Sequence, residues 1–136
     1  MPTPYDTSIT LVSGALSRAA ERRDLKSGDS LVNLELTSRC GPGPAESVPV
    51  VWPDAPAWAD ALAAGDRVVV VGRVRRRFFR AGGTTASRTE VLAERVVPER
   101  KRARVRAAVQ LAQRRLEASD EPAPSERPAA VERRAG

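Results

Sequence analysis

The chain has no histidine and a single cysteine, Cys40. Without histidine it lacks the commonest general base and the Ser-His and Cys-His dyads built on it. One cysteine excludes an internal disulfide framework and any cysteine-based zinc cage. Aromatic residues make up only 4% of the chain, as two Trp, two Phe and one Tyr. No run approaches ~18 apolar residues, so a membrane-spanning helix is not expected. The N-terminus, MPTPYDTS, has no charged stretch followed by an apolar one, so a secretory signal is not expected either. These absences lead us to expect a soluble, cytoplasmic, non-enzymatic protein with no cofactor and no membrane partner.

What is present is basic. The 136 residues fit one domain, and 41% hydrophobic content is enough for a small core. Lys and Arg number 23 against 17 Asp and Glu, a net charge of +6, with a pI near 10.8. Such a surplus points to a polyanionic partner, most often nucleic acid. Of the basic residues 21 are Arg, beside 22 Ala and 11 Pro, a bias that a GC-rich gene would share, so the placement of charge says more than its sum. Residues 1–98 carry +2, residues 99–118 carry +5 and residues 119–136 carry −1. Within the first region, the stretch from Arg73 to Arg88 has six arginines and no acid, a local patch.

The periodicity predicts strands over Ser8–Leu16, with Gly14 as a bulge or bend, and over Leu31–Thr37, where Val32, Leu34 and Leu36 share one face. Residues 20–29 read as a charged hairpin loop ending in Ser27-Gly28-Asp29, and Cys40–Pro44 as a second loop. Ser47–Trp52 reads as a third strand, irregular at Pro49. Asp54 is placed to cap a short helix over 55–64, with Trp58 and Leu62 on its core face and Gly65 as its stop. Asp66–Phe79 is the strongest strand, Ala81–Ser87 a flexible loop and Arg88–Val97 a fifth strand. Val105, Ala108, Val109, Ala112 and Leu116 form the apolar stripe of a basic helix over Glu99–Glu117. Proline-rich polar sequence follows, for which disorder is expected. Five strands with one helix between the third and fourth is the arrangement of the OB-fold, an all-β Greek-key barrel that binds oligonucleotides or oligosaccharides. The expected organisation is a barrel over 6–98, a basic helix over 99–118 and a tail over 119–136.

On the fourth strand the period of two puts Arg73, Arg75, Arg77 and Phe79 on one face. Three unpaired guanidiniums cannot be core. A basic track ending in an aromatic suits single-stranded nucleic acid, with arginine neutralising phosphates and the ring stacking on any base; the alternative is a solvated face. Trp52 closes the third strand, facing either the same groove or the core. Phe78, on the other face, is either a core plug or an edge contact.

The ordered series SITLVSGAL, LKSGD, LVNLELTSR, GDRVVVVGRVRRRFFRAGG and SRTEVLAERV resembles bacterial single-stranded DNA-binding proteins over about residues 6–97. The resemblance implies an OB-fold without catalysis, homotetramers, and stacking of DNA on the ring at Phe79 and on that at Trp52. It names a candidate DNA-binding set of Trp52, Arg73, Arg75, Arg77, Phe79, Arg80 and Arg88, joined by Arg22, Arg23 and Lys26 of the charged hairpin. There are departures. CGPGPAES replaces a Trp-centred segment, the linker after Pro98 is helical and basic, and AVERRAG lacks the acidic tip ending in Ile-Pro-Phe that recruits partners. A divergent member or paralogue is expected, coating single-stranded DNA in replication, repair or recombination at the nucleoid, without recruitment through its tail. The alternatives are an RNA-binding OB-fold and an assembly subunit that has lost DNA binding. The apolar first strand would leave an open edge in a lone barrel, which also predicts a homo-oligomer. Gly82-Gly83 lacks the Gly-Lys-[ST] ending of a phosphate loop, and Asp54 with Asp60, or Glu90 with Glu94, lacks a third metal ligand. Cys40 has no flanking base and is read as inert.

Overall fold

The structure, a computed structural model, describes residues 6–118. Six strands, β1 (Thr10–Leu16), β2 (Glu21–Asp24), β3 (Ser30–Ser38), β4 (Glu46–Pro53), β5 (Arg67–Ala81) and β6 (Thr84–Pro98), precede a helix, α1 (Arg102–Ala118). The sheet runs β1-β5-β6-β4-β3-β2, and β1 also pairs with β3. That last pairing closes a barrel of five strands, with β2 lying along β3 beside the end of β1. The charged 20–29 segment, read as loop, therefore holds a short strand, paired from Glu21↔Asn33 to Asp24↔Ser30.

The barrel closes where β1 leaves β5 for β3. A side chain at Gly14 would bring a Cβ within 2.5 Å of the Thr37 carbonyl oxygen, so only glycine lets the two backbones approach there. β1 pairs with β5 from Thr10 to Ala15 but with β3 only at Ala15 and Leu16. The rest of its second edge faces no strand among the described residues, although the Ser38 hydroxyl donates to the Ser13 carbonyl at 2.8 Å.

Inside, the alternating residues Val32, Leu34 and Leu36 of β3 meet Val50 of β4, Val68 and Val70 of β5, and Val91, Ala93 and Val96 of β6. The inward set on β6 shifts by one because a bulge sits opposite Val71/Gly72, so that Val71 faces Arg95 and Gly72 faces Ala93. A second, outer cluster forms where α1 lays Ala108 and Ala112 on Val71 and Val97, flanked by Ile9 and Val105. Alanines at i, i+4 let the helix axis come close. Leu116, the last residue of the predicted stripe, is 58% exposed.

Three further expectations need correction. The helix over 55–64 is a single 3-10 turn, Ala57–Ala61, entered from Pro56 without a side-chain cap. Pro56 holds Ala55 out of the helical region, and Asp54 adopts φ 53° with its N–H donating to the Ser30 carbonyl at 2.9 Å. The flexible loop over Ala81–Ser87 is absent. Ala81 pairs with Thr84, and only Gly82 and Gly83 turn, at φ 58° and 83°, the positive values a two-residue hairpin turn of type I′ requires. The basic helix starts at Arg102 instead of Glu99, because Glu99 still follows β6: its N–H donates to the Arg67 carbonyl and its carboxylate pairs with Arg67 at 2.7 Å. The disorder expected for residues 119–136 lies outside the described residues.

Candidate nucleic-acid interface

β1 accompanies β5 only to Gly72, and β4 meets β6 only at Val91 and Leu92. Beyond those points β5 and β6 continue as a two-stranded arm, Arg73–Ala81 against Thr84–Glu90, of about 30 Å at ~3.3 Å per residue. The side of β5 that is buried at Val68 and Val70 is open at Val74 (51% exposed) and Phe78 (65%). Phe78 is therefore not a core plug.

Arg73, Arg75, Arg77 and Phe79 follow Val69 and Val71 on the opposite side. Phe79 is 37% exposed, with the Arg77 guanidinium 5.2 Å from its ring centroid. Arg76 and Phe78 repeat that pairing on the other side at 5.7 Å. Arg80 stands at the tip, donating to the Gly83 carbonyl at 3.1 Å.

The arginine row is not unbalanced, as its neighbours in sequence suggest. Arg75 lies directly opposite Glu90 and Arg77 opposite Arg88. The buried Glu90 carboxylate receives Arg75 at 2.9 Å and Arg77 at 3.2 Å, with Arg88 at 3.9 Å. Burial pushes the Glu90 pKa up, but the hydrogen bonds from Arg77 and Arg75 and their positive charge outweigh it, so the carboxyl titrates below its ordinary range. Glu35 extends the network to Arg88 at 3.5 Å and Arg18 at 3.9 Å, and also accepts from the Ser47 hydroxyl. Arg73 has no acidic partner among the described residues. A groove of about 200 Å³ runs beside this network, lined by Arg18, Arg23, Asn33, Arg77 and Arg88 with Glu21, Glu35 and Glu90 among them. Pre-paired guanidiniums are fixed in place, and a phosphate can share or take over their donors.

The remaining residues of the expected set divide. Arg23 reaches the groove, and Lys26 is exposed in the turn after β2, outside it. Arg22 is a structural clamp, a role its sequence neighbours do not reveal. It pairs with Asp60 at 2.7 Å and donates to Ser30 and to the Ala55 and Pro56 carbonyls, tying β2 to the 3-10 turn and leaving little for phosphate. Trp52 is also corrected: it is 6% exposed and belongs to the core. It shares the inward parity of Val50, so its ring cannot offer a free face to the groove. Trp58, expected in the core, is 41% exposed and stands edge-on against Trp52 with ring centroids 5.4 Å apart. Trp52 thus takes the core alternative, and Trp58 leaves the core because a 3-10 turn does not bring i and i+4 to one face. Cys40 is exposed. Among the described residues no group of His, Cys, Asp and Glu could hold a metal, and no helix is long and apolar enough to cross a membrane.

A closed barrel of five strands is the architecture of the OB-fold class. No protein-family model matches the chain, and no curated protein matches its sequence. Among solved structures it is similar to the single-stranded DNA-binding protein from Thermus aquaticus. The deletion mutant Δ228–252 R190A of that protein is 25% identical, with a TM-score of 0.57, and the wild-type protein is 24% identical, with a TM-score of 0.56. Each match covers 68% of this chain but only 40% of the Thermus protein. The likeness supports an OB-fold of the kind found in that protein.

Proposed function

We propose that the protein binds single-stranded DNA through the outer face of the β5–β6 arm, without strong base preference and without catalysis. The observation that carries this reading is the unbroken series Arg73, Arg75, Arg77, Phe79, with a guanidinium seated over an accessible ring. Phosphates follow the arginines, Arg80, Arg88, Arg23 and Lys26 extend the basic surface, and a base stacks on Phe79. Similarity to the Thermus protein supports the same ligand. Roles in replication, repair or recombination, a place at the nucleoid, and a barrel domain over 6–98 followed by a basic helix are part of the proposal. So is a homo-oligomer, with a tetramer as its expected state: the edge of β1 from Thr10 to Val12, which pairs with no strand among the described residues, is suited to pairing with a second copy.

The test is binding of labelled single-stranded DNA, single-stranded RNA and duplex DNA across a salt series. Preference for the DNA single strand, with affinity falling as salt rises, supports the proposal. Equal or tighter binding of RNA favours an RNA-binding barrel, since stacking and phosphate contacts do not themselves exclude ribose. Binding to none of the three points to an assembly subunit.

A further inference from the structure

At the opposite end of β5 from the arm tip, a cleft of about 380 Å³ opens between the 3-10 turn and the start of α1. That is the lower end of the size range of ligand pockets. Trp58 forms one wall, Leu62 and Pro98 lie beneath, and Arg100, Lys101 and Arg104 line the other side. Its residues are all different from those of the arm groove. The Trp58 ring is held from one side by its edge-on contact with the buried Trp52, yet 41% of the residue is exposed. The core thus fixes an aromatic surface that it does not cover. Arg100, Lys101 and Arg104 have no ion-pair partner among the described residues. Glu99, the nearest acid in sequence, is taken by Arg67. The one carboxylate in the cleft, Asp66, is engaged at 2.9 Å by the Ala63 N–H. A rigid indole facing three unpaired cations suits a flat aromatic group that carries an anion.

We infer that this cleft is a second nucleotide site, in which a base stacks on Trp58 and its phosphates lie against Arg100, Lys101 and Arg104. Resting on the strand-binding reading above, the occupant is a nucleotide of the same single strand, reached once the strand extends beyond the arm. The basic start of α1 is then part of the binding surface, and the exposure of Trp58 has a use.

The test uses the full chain, thymidine monophosphate and oligothymidylates of increasing length. Two signals are followed: tryptophan fluorescence, and anisotropy of a labelled strand. Long strands should quench Trp58, whereas the enclosed Trp52 should stay unquenched. Trp58→Leu should weaken binding of long strands by about 5- to 150-fold, the loss of one stacked base, and leave the shortest strands unaffected. Trp58→Phe should keep affinity within a few-fold while abolishing the quench. Replacing Arg100, Lys101 and Arg104 together by Ala should lower the salt slope by about 2, at ~0.7 per phosphate contact. Circular dichroism of each variant verifies folding, and the exposed triple Ala variant serves if Trp58→Leu does not fold. Long-strand binding unchanged in both Trp58→Leu and the triple variant overturns the inference; if Phe79→Ala still weakens binding, the arm reading survives. Weakening by Trp58→Leu but not by Phe79→Ala has the reverse meaning. Quenching by thymidine monophosphate with no gain from strand length assigns the cleft to a free nucleotide and overturns its part in strand binding.

Discussion

The two halves of β5 have the same alternation and opposite fates. From Val68 to Val71 every residue is buried: Val68 and Val70 fill the barrel, and Val71 on the other face lies under α1. From Arg73 onward the strand keeps its period and its β6 partner but has neither β1 beside it nor α1 over it, and Val74 and Phe78 stand open where Val68 and Val70 are enclosed. Strand pairing alone therefore does not make core; it needs a layer on each face. The arm, free of such layers, presents guanidiniums and rings in fixed positions. The border is Gly72, facing the β6 bulge, where a Cβ would overlap the Leu92 carbonyl.

The largest expected effect comes from breaking that border. Gly72→Val forces a branched side chain against fixed backbone and should cost about 2–3 kcal/mol, measured by urea unfolding. A loss below about 0.5 kcal/mol would mean that the two halves are not separated there.

Phe79→Ala, on the open half, should leave the unfolding midpoint nearly unchanged and weaken single-strand binding by about 1–3 kcal/mol. The salt slope should stay as it is, because no charge is removed. If the variant unfolds instead, Phe79 belongs with the core half.

Glu90→Gln sharpens the comparison, since Glu90 is a buried charge of the arm. Its folded-state pKa is lowered, so its ion pairs contribute stability above the ordinary carboxylate range. That contribution is lost as pH falls through the lowered value. Acid unfolding of Glu90→Gln should lack this part of the pH dependence, and with one negative charge gone its affinity for single strands should rise by roughly severalfold. A pH profile identical to that of the parent protein would show that the pairs contribute nothing.

The smallest effect is that of Arg73→Ala, which removes a guanidinium with no acidic partner among the described residues. Stability should move by less than about 0.5 kcal/mol, and the salt slope should flatten by ~0.7.

Much of the barrel is legible in the sequence because burial follows parity: Val32, Leu34 and Leu36 share one face of β3 by alternation, and all three are buried in the barrel. What escaped was set by partners distant in the chain. Glu90 is fifteen residues from Arg75, yet reading Gly82-Gly83 as a two-residue turn would have placed them opposite by counting back from Ala81 and Thr84. Arg22 could not be recognised as a clamp, since its partners lie 8 to 38 residues away. The tryptophans were misplaced for separate reasons. Alternation alone does not say which face of β4 is the inner one for Trp52, and the i, i+4 spacing of Trp58 and Leu62 suggests an α-helix where a 3-10 turn is entered from Pro56. The arginine row with Phe79 was visible as a pattern; its ion pairs were not.

The central claim is that a single strand lies on the outer face of the arm, and photochemical cross-linking tests it most directly. A bromouracil-substituted single strand would be irradiated with the full chain and its adducts mapped by mass spectrometry. We expect an adduct at Phe79, within the arm from Arg73 to Glu90, that diminishes as salt rises. Cross-links formed efficiently elsewhere, with none in the arm, would contradict the account.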